Sequence, residues 1–178
     1  YIKKSFNFLI KTKIIINSFS EPTFDDLKFI KSKVISKKIN LIIAIGGGST
    51  IDIGKGLAIA LKYKGNVENL QGLNKFLQNP IPVVSIPTIF GSGAEITPSA
   101  VFINEKNKFK GGINSNLIQP RIALLDPFLA QSKNNRQHVI CAFDALVHSI
   151  ESFHSRISND FTKLMSTKGT TLVLKGID

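Results

Sequence analysis

Residues 41–45, Leu-Ile-Ile-Ala-Ile, run directly into Gly46-Gly47-Gly48-Ser49-Thr50-Ile51-Asp52, and a further apolar stretch reaches Leu61. Five apolar residues in a row suit a strand buried on both faces. Three glycines suit a turn whose backbone comes close to a ligand, and Ala58, Ile59, Ala60 and Leu61 carry a helix onward. Strand, glycine turn and helix in that order make an anion site, because the first backbone N–H groups of the helix and its dipole point at the same place. The default ligand is the phosphate or pyrophosphate of a nucleotide.

Two glycine patterns can be tested against this stretch. A P-loop needs Gly-x-x-x-x-Gly-Lys-Ser/Thr, but the interval from Gly48 to Gly54-Lys55 is one residue too long, and Gly56 stands where the magnesium-binding hydroxyl belongs. A Rossmann fingerprint would use Gly46 and Gly48 and then a third glycine, where Ile51 stands. Taken alone, the turn is equally compatible with an ordinary strand-to-helix connection.

Three blocks together are more specific. Gly46-Gly47-Gly48-Ser49-x-x-Asp52, with Lys55 a helical turn later, resembles the pyrophosphate motif of the iron-containing alcohol dehydrogenases, relatives of glycerol dehydrogenase and dehydroquinate synthase. Residues 86–98, Ile-Pro-Thr-Ile-Phe-Gly-Ser-Gly-Ala-Glu-Ile-Thr-Pro, resemble that family's proline-threonine-threonine loop and the glycine-rich turn after it. Residues 144–151, Asp-Ala-Leu-Val-His-Ser-Ile-Glu, resemble its metal-binding helix, which carries Asp and His four residues apart.

The resemblance implies an α/β fold: a Rossmann-like parallel sheet with helices on both faces, followed by the start of an all-α domain, as in dehydroquinate synthase. It implies that Gly46, Gly47, Gly48 and Ser49 hold a pyrophosphate, that Asp52 lies near the nicotinamide in a catalytic position, and that Thr88, Thr97 and Lys110 contact cofactor ribose or phosphate. The cofactor is NAD or NADP. Asp144 and His148 are the implied metal ligands, for Fe(II) or for zinc, with two further histidines expected on later helices. Ile89 departs from the family's second threonine and removes a hydroxyl. The implied reaction is hydride transfer between a small alcohol or aldehyde and the nicotinamide. A glycerol-dehydrogenase-like enzyme, a dehydroquinate-synthase-like cyclase and an inactive truncated remnant are the alternatives. The family alignment also places the first strand before Tyr1, so the chain is expected to be a fragment truncated at both ends.

The residues leave local readings open beside these. Asp52 and Thr97 can cap helices or turns, and Lys110 can be a solvated surface charge. Asp144 and His148 share a helix face and can converge on one ion, or simply on each other. His138 and His154 lie six residues from the nearer member of that pair, well around the helix, and read as solvent-facing or structurally bonded.

A length of 178 residues is enough for a real core. The net charge of +11 raises the question of nucleic acid. The lysines are scattered, arginines are few, and aromatics do not alternate with cations, so no nucleic-acid partner is expected. Apolar runs fall short of the ~20 residues of a membrane span, and no signal-peptide pattern opens the chain; a cytoplasmic protein without a membrane partner is expected, with a homo-oligomer left open. The single cysteine, Cys141, excludes an internal disulfide and reads as a small buried apolar group.

In chain order, the pattern predicts an amphipathic helix over residues 1–13 and a short buried strand at Ile14, Ile15 and Ile16. A helix opened by Asp25 and Asp26 follows, with Leu27, Ile30, Val34 and Ile35 on its apolar face. Residues 63–79 read as turns with a short helix, and residues 81–86 as a strand. Residues 101–104 and 109–113 read as a hairpin, and residues 122–125 as another buried strand. Residues 139–153 form a helix, and residues 170–174 are ambiguous between strand and helix. The boundary falls near Pro127: a nucleotide-binding domain over 1–126 and the beginning of a helical, metal-binding domain over 127–178.

Overall fold

The computed structural model describes residues 13–16, 21–35, 38–130 and 135–177. Helix α1 (Phe24–Ser32) begins at a capping box: the Asp26 N–H donates to Thr23 Oγ1 at 3.0 Å and the Thr23 N–H donates to Asp26 Oδ2 at 2.9 Å. Two donors that a helix start leaves without partners are thereby satisfied. Its periodic stripe, Phe24, Leu27 and Ile30, is buried. Strand β1 (Ile42–Gly46) then leads through Gly47 into α2 (Gly48–Ala60).

Helix α2 is apolar nearly all round and sits at the centre of the molecule. Ile53, Leu57 and Ile59 join Phe24, Leu27 and Phe102 in the main core, Ile51 packs with Ala44 and Ala94, and Ala58 packs with Ile81 and Val83. A helix covered on several sides needs no polar face, which is why its pattern carries little amphipathy. The approach is close at Gly56, where a Cβ would lie 2.5 Å from Phe102 Cζ.

After a 3₁₀ turn (Val67–Leu70) come β2 (Gly72–Leu73), β3 (Val83–Pro87), β4 (Ser99–Asn104), β5 (Phe109–Asn114) and β6 (Ile122–Ala123). Strands β1, β3 and β6 form a parallel sheet in the order β1-β3-β6. Its register aligns Ile43 with Val84 and Ile122, and Ala44 with Ser85 and Ala123. Strands β4 and β5 are an antiparallel hairpin with β2 added in parallel to β5. Helices α3 (Asn135–His154) and α4 (Asp160–Ile177) follow and pack on each other.

Several expectations are corrected. The strand at residues 41–45 is buried on one face: Ala44 lies under α2, while Ile43 and Ile45 on the other face are 42% and 40% exposed, because no described element covers them. Ile14, Ile15 and Ile16 form no strand; they pair with no edge among the described residues, and a lone strand has no ladder. The strand expected over 122–125 pairs at two residues only, and Ile122, Leu124 and Leu125 are exposed. Residues 170–174 are helical within α4, where Thr171 Oγ1 donates to Thr167 O at 2.8 Å, so the β-branched residues are accommodated by bonding back to the preceding turn. Strand β2 lies in a stretch that reads as turns. The helix expected over residues 1–13 falls almost wholly outside the described residues. No described helix is long and apolar enough to cross a membrane.

Candidate functional site

Strand β1 ends on Gly46, whose φ of +154° is a conformation glycine adopts without strain. A Cβ there would lie 2.7 Å from Thr50 Oγ1. Gly47 is the N-cap of α2, so the cap position has no side-chain acceptor, and the helix presents its positive end to whatever anion lies against it. The Thr50 and Ile51 N–H groups donate to Gly47 O at 3.0 and 3.1 Å. The Thr88 N–H donates to Gly46 O at 3.0 Å and joins the end of β3 to the glycine turn. Carboxyl ends of parallel strands are where open α/β sheets bind ligands.

The facing wall of this cradle is the turn after β3. A Cβ built on Gly48 would sit 3.0 Å from Ser92 Oγ and 3.8 Å from Ala94 Cβ, and one on Gly47 would sit 3.4 Å from Ile89 Cδ1. Glycine is therefore what lets the turn pack directly against the helix start, so the two segments border the same carboxyl edge of the sheet.

One turn along α2, Lys55 is wholly buried. Its ammonium donates to Ala94 O at 2.7 Å and to Ser99 O, and lies 3.4 Å from both Thr97 O and Thr97 Oγ1. It also pairs with Asp52 Oδ1 at 3.2 Å, while the Val101 N–H donates to Asp52 Oδ2 at 3.1 Å. Burial raises the pKa of Asp52 against the pull of Lys55, and burial lowers that of Lys55 against the pull of Asp52. Each charge is tolerable because the other is beside it. Glu95 is buried nearby with its Oε2 unbonded.

Helix α3 brings the second half of the site. Asp144 Oδ1 and His148 Nε2 are 3.9 Å apart, four residues along one face, and His148 Nδ1 is 3.4 Å from Gly91 O. Gly91, at φ +138°, lies so close to α3 that a Cβ would be 2.5 Å from Cys141 O. The turn after β3 thus touches the glycine cradle on one side and α3 on the other. Between them a cleft of about 320 Å³ is lined by Thr88, Ile89, Phe90 and Gly91 from the sheet side and by Gln137, His138, Cys141 and Ala142 from α3.

The expected site residues are thus distributed unequally. Gly46, Gly47, Gly48, Ser49 and Thr88 meet at the carboxyl edge of the sheet, while Asp144 and His148 face each other on α3, where His148 reaches Gly91 O and neither side chain lines the cleft. Asp52 and Thr97 lie at the buried Lys55, where both carboxylate oxygens of Asp52 have partners. Lys110 reaches Glu21 at 2.6 Å, both more than half exposed. Sequence reasoning passed over Lys55 as a structural centre and Gln137, His138 and Cys141 as cleft residues. The spacing of 138, 141, 142 and 145 along one helix face carried that signal. Asp144 and His148 offer a carboxylate and an imidazole, a donor pair suited to iron or zinc. Among the described residues no third His, Cys, Asp or Glu completes a group of three, and catalytic sites use about three protein ligands. The pair alone is thus short of the donors such a site uses, and no chemical step is assigned to it.

A parallel Rossmann-like sheet with a glycine cradle at its carboxyl edge, followed by a helical extension, defines the structural class. The chain belongs to the iron-containing alcohol dehydrogenase family, whose sequence model matches residues 3–127. It is 31% identical over 139 residues to the 1,3-propanediol dehydrogenase of Citrobacter freundii, covering 78% of this chain and 36% of that enzyme. It is 32% identical over 157 residues to the 4-hydroxybutyrate dehydrogenase of Clostridium kluyveri, covering 88% of this chain and 42% of the other. Its fold matches the alcohol dehydrogenase from Oenococcus oeni with a TM-score of 0.88 at 25% identity, over 97% of this chain and 44% of that one. An iron-containing alcohol dehydrogenase from Thermotoga maritima gives a TM-score of 0.84 at 28% identity, over 90% and 44%. The chain thus spans less than half the length of these relatives.

Proposed function

We propose that this chain is the nucleotide-binding part, with the first metal ligands, of an NAD(P)-dependent alcohol dehydrogenase containing iron. The observation that carries the reading is the glycine cradle at an uncapped helix start, set across a cleft from the helix bearing Asp144 and His148. NAD and iron are favoured over NADP and zinc by the family and by relatives such as the NAD-dependent methanol dehydrogenase of Bacillus methanolicus, 30% identical over 132 residues. The substrate class is a small alcohol or aldehyde. The working division is 1–126 for the nucleotide and 127–178 for the metal side.

In this reading Gly46, Gly47, Gly48 and Ser49 hold the pyrophosphate by backbone N–H groups and the α2 dipole. Thr88 and Thr97 border the cofactor, and Lys110 contacts it once released from Glu21. Asp52 acts through Lys55 and the hairpin. The nicotinamide, when bound, supplies the hydride acceptor or donor. The apolar lining of the cleft, Ile89, Phe90 and Ala142, keeps water from the reacting carbon, and the two walls fix its orientation.

The test is an equilibrium titration of the protein with NAD and with ADP, with Gly48→Val beside it. The valine side chain would collide with Ser92 and displace the wall beside the helix start, so binding that weakens at least about tenfold is expected; equal binding by both proteins ends the cradle assignment. His148→Ala is expected to lose iron retention and alcohol-dependent NAD reduction in an enzyme carrying the remaining ligands, with nucleotide binding kept. Unchanged iron content would remove His148 from the metal site.

A further inference from the structure

The buried ammonium of Lys55 has no place in the cradle's own chemistry, yet several acceptors converge on it. It is 0% exposed, and a buried cation is stable only where several acceptors converge on it. Those acceptors come mainly from one segment: Ala94 O, Thr97 O, Thr97 Oγ1 and Ser99 O. This segment has few regular backbone bonds of its own. Within it the Ile96 N–H donates to Gly93 O at 3.1 Å. The same segment, through Ser92 and Ala94, forms the wall facing Gly48.

We propose that Lys55 is a positioning residue for the nucleotide: by gathering the carbonyls of Ala94, Thr97 and Ser99 it holds the turn over residues 92–98 in close contact with Gly48, and so fixes the wall beside the helix start that receives the pyrophosphate. It touches no ligand. The inference rests on the nucleotide reading above and extends it from the backbone that binds to the side chain that sets the spacing. Asp52 belongs to the same device. One of its oxygens neutralises Lys55 and the other fixes the Val101 N–H, so α2 and the hairpin move as one piece with the turn.

The experiment compares the wild-type chain with Lys55→Met, Lys55→Gln and a control, Ile59→Val. Methionine keeps most of the stem and removes the charge and donors; glutamine keeps two N–H donors on a shorter stem. Ile59 is a fully buried residue of the same helix away from the turn. Two quantities are read: the dissociation constant for ADP, and amide hydrogen exchange at Ile96 and Val101 against that of β1. Lys55→Met is expected to weaken ADP at least about tenfold and to speed exchange at Ile96 and Val101 by a similar factor while β1 is unchanged. Lys55→Gln is expected to fall between, and it carries the test if Lys55→Met does not fold. Ile59→Val is expected to lower the melting temperature with ADP affinity kept within about twofold. ADP affinity unchanged in Lys55→Met and Lys55→Gln overturns the proposal, as does an equal loss in Ile59→Val. If the wild-type chain binds no ADP, the nucleotide reading fails by itself. Lys55 is then judged by exchange: faster exchange at Ile96 and Val101 alone sustains it as what positions the turn, and unchanged exchange overturns it.

Discussion

The layer formed by α1, α2 and the β4–β5 hairpin and the pair formed by α3 and α4 are both rich in large apolar residues, yet they bury them differently. Phe24, Leu27, Ile59 and Phe102 are 1% exposed or less, with Phe24 and Phe102 stacked at 5.2 Å. Phe143, Ile140, Phe161 and Leu164 on the helical pair are more than half exposed. Two helices packed on each other cover one stripe apiece, whereas α2 is covered from several directions at once. Apolar content therefore sets how much surface could be buried, and the number of neighbouring elements sets how much is.

The sharpest test of that difference is a matched pair of truncations. Phe102→Ala is expected to lower stability by about 3–5 kcal/mol, and Phe143→Ala by at most about 0.5 kcal/mol, in urea denaturation. Similar losses at both sites would break the comparison. Gly56→Ala is next: although alanine favours a helix, its methyl would meet Phe102 Cζ at 2.5 Å and Leu27 Cδ2 at 3.2 Å. A net loss of about 1–3 kcal/mol is expected, read as a lower urea midpoint. Thr23→Ala removes half of the capping box and is expected to cost about 1 kcal/mol by thermal denaturation, with faster exchange in the first turn of α1.

The smallest effect is electrostatic. Glu68 accepts from Lys28 at 2.8 Å and lies 3.4 Å from Lys106. The Lys28 hydrogen bond, with help from Asn66, holds its carboxyl below the usual 4.5. The unfolded chain therefore takes up the proton first as the pH falls. The stabilisation from Glu68 is present in full above pH 4.5 and disappears as the pH drops through the lower, folded value. Lys28 is partly exposed, so about 0.2–1 kcal/mol is at stake. Glu68→Gln should flatten the acid limb of a stability–pH curve by that amount, and an unchanged limb would show that the pair contributes nothing.

The parts of the fold legible in the sequence are those whose signal is local. The acidic pair Asp25 and Asp26 that opens α1, the apolar period of that helix, the glycine turn after Ile45 and the two arms of the hairpin each carry their own instruction within a few residues. What could not be read depends on distant partners. Whether Ile43 is buried is decided by what lies on the far side of the sheet; whether Ile14, Ile15 and Ile16 make a strand is decided by an adjacent edge. At the site, Gly46 and Gly48 were legible because a close strand-to-helix turn is a backbone requirement, whereas Thr88 came only from the family resemblance. Lys55 was legible as part of a motif but not as the centre of four acceptors, since those come from residues 94–99. For the same reason Asp144 and His148 could be paired by their helical spacing, while the contact of His148 with Gly91 O, 57 positions away, could not.

The burial of Lys55 also orders events during synthesis. Its two shortest bonds reach 39 and 44 positions ahead, to Ala94 and Ser99. When α2 leaves the ribosome, the side that will face the turn therefore carries an ammonium that has only Asp52 and water beside it, its carbonyl partners still to come. Docking α2 fully at that stage would strand the charge in an apolar interior, at a cost of several kcal/mol. The helix must wait, hydrated on that side, until the following strand and the turn have emerged. The centre of the molecule is thus among the last places to dry.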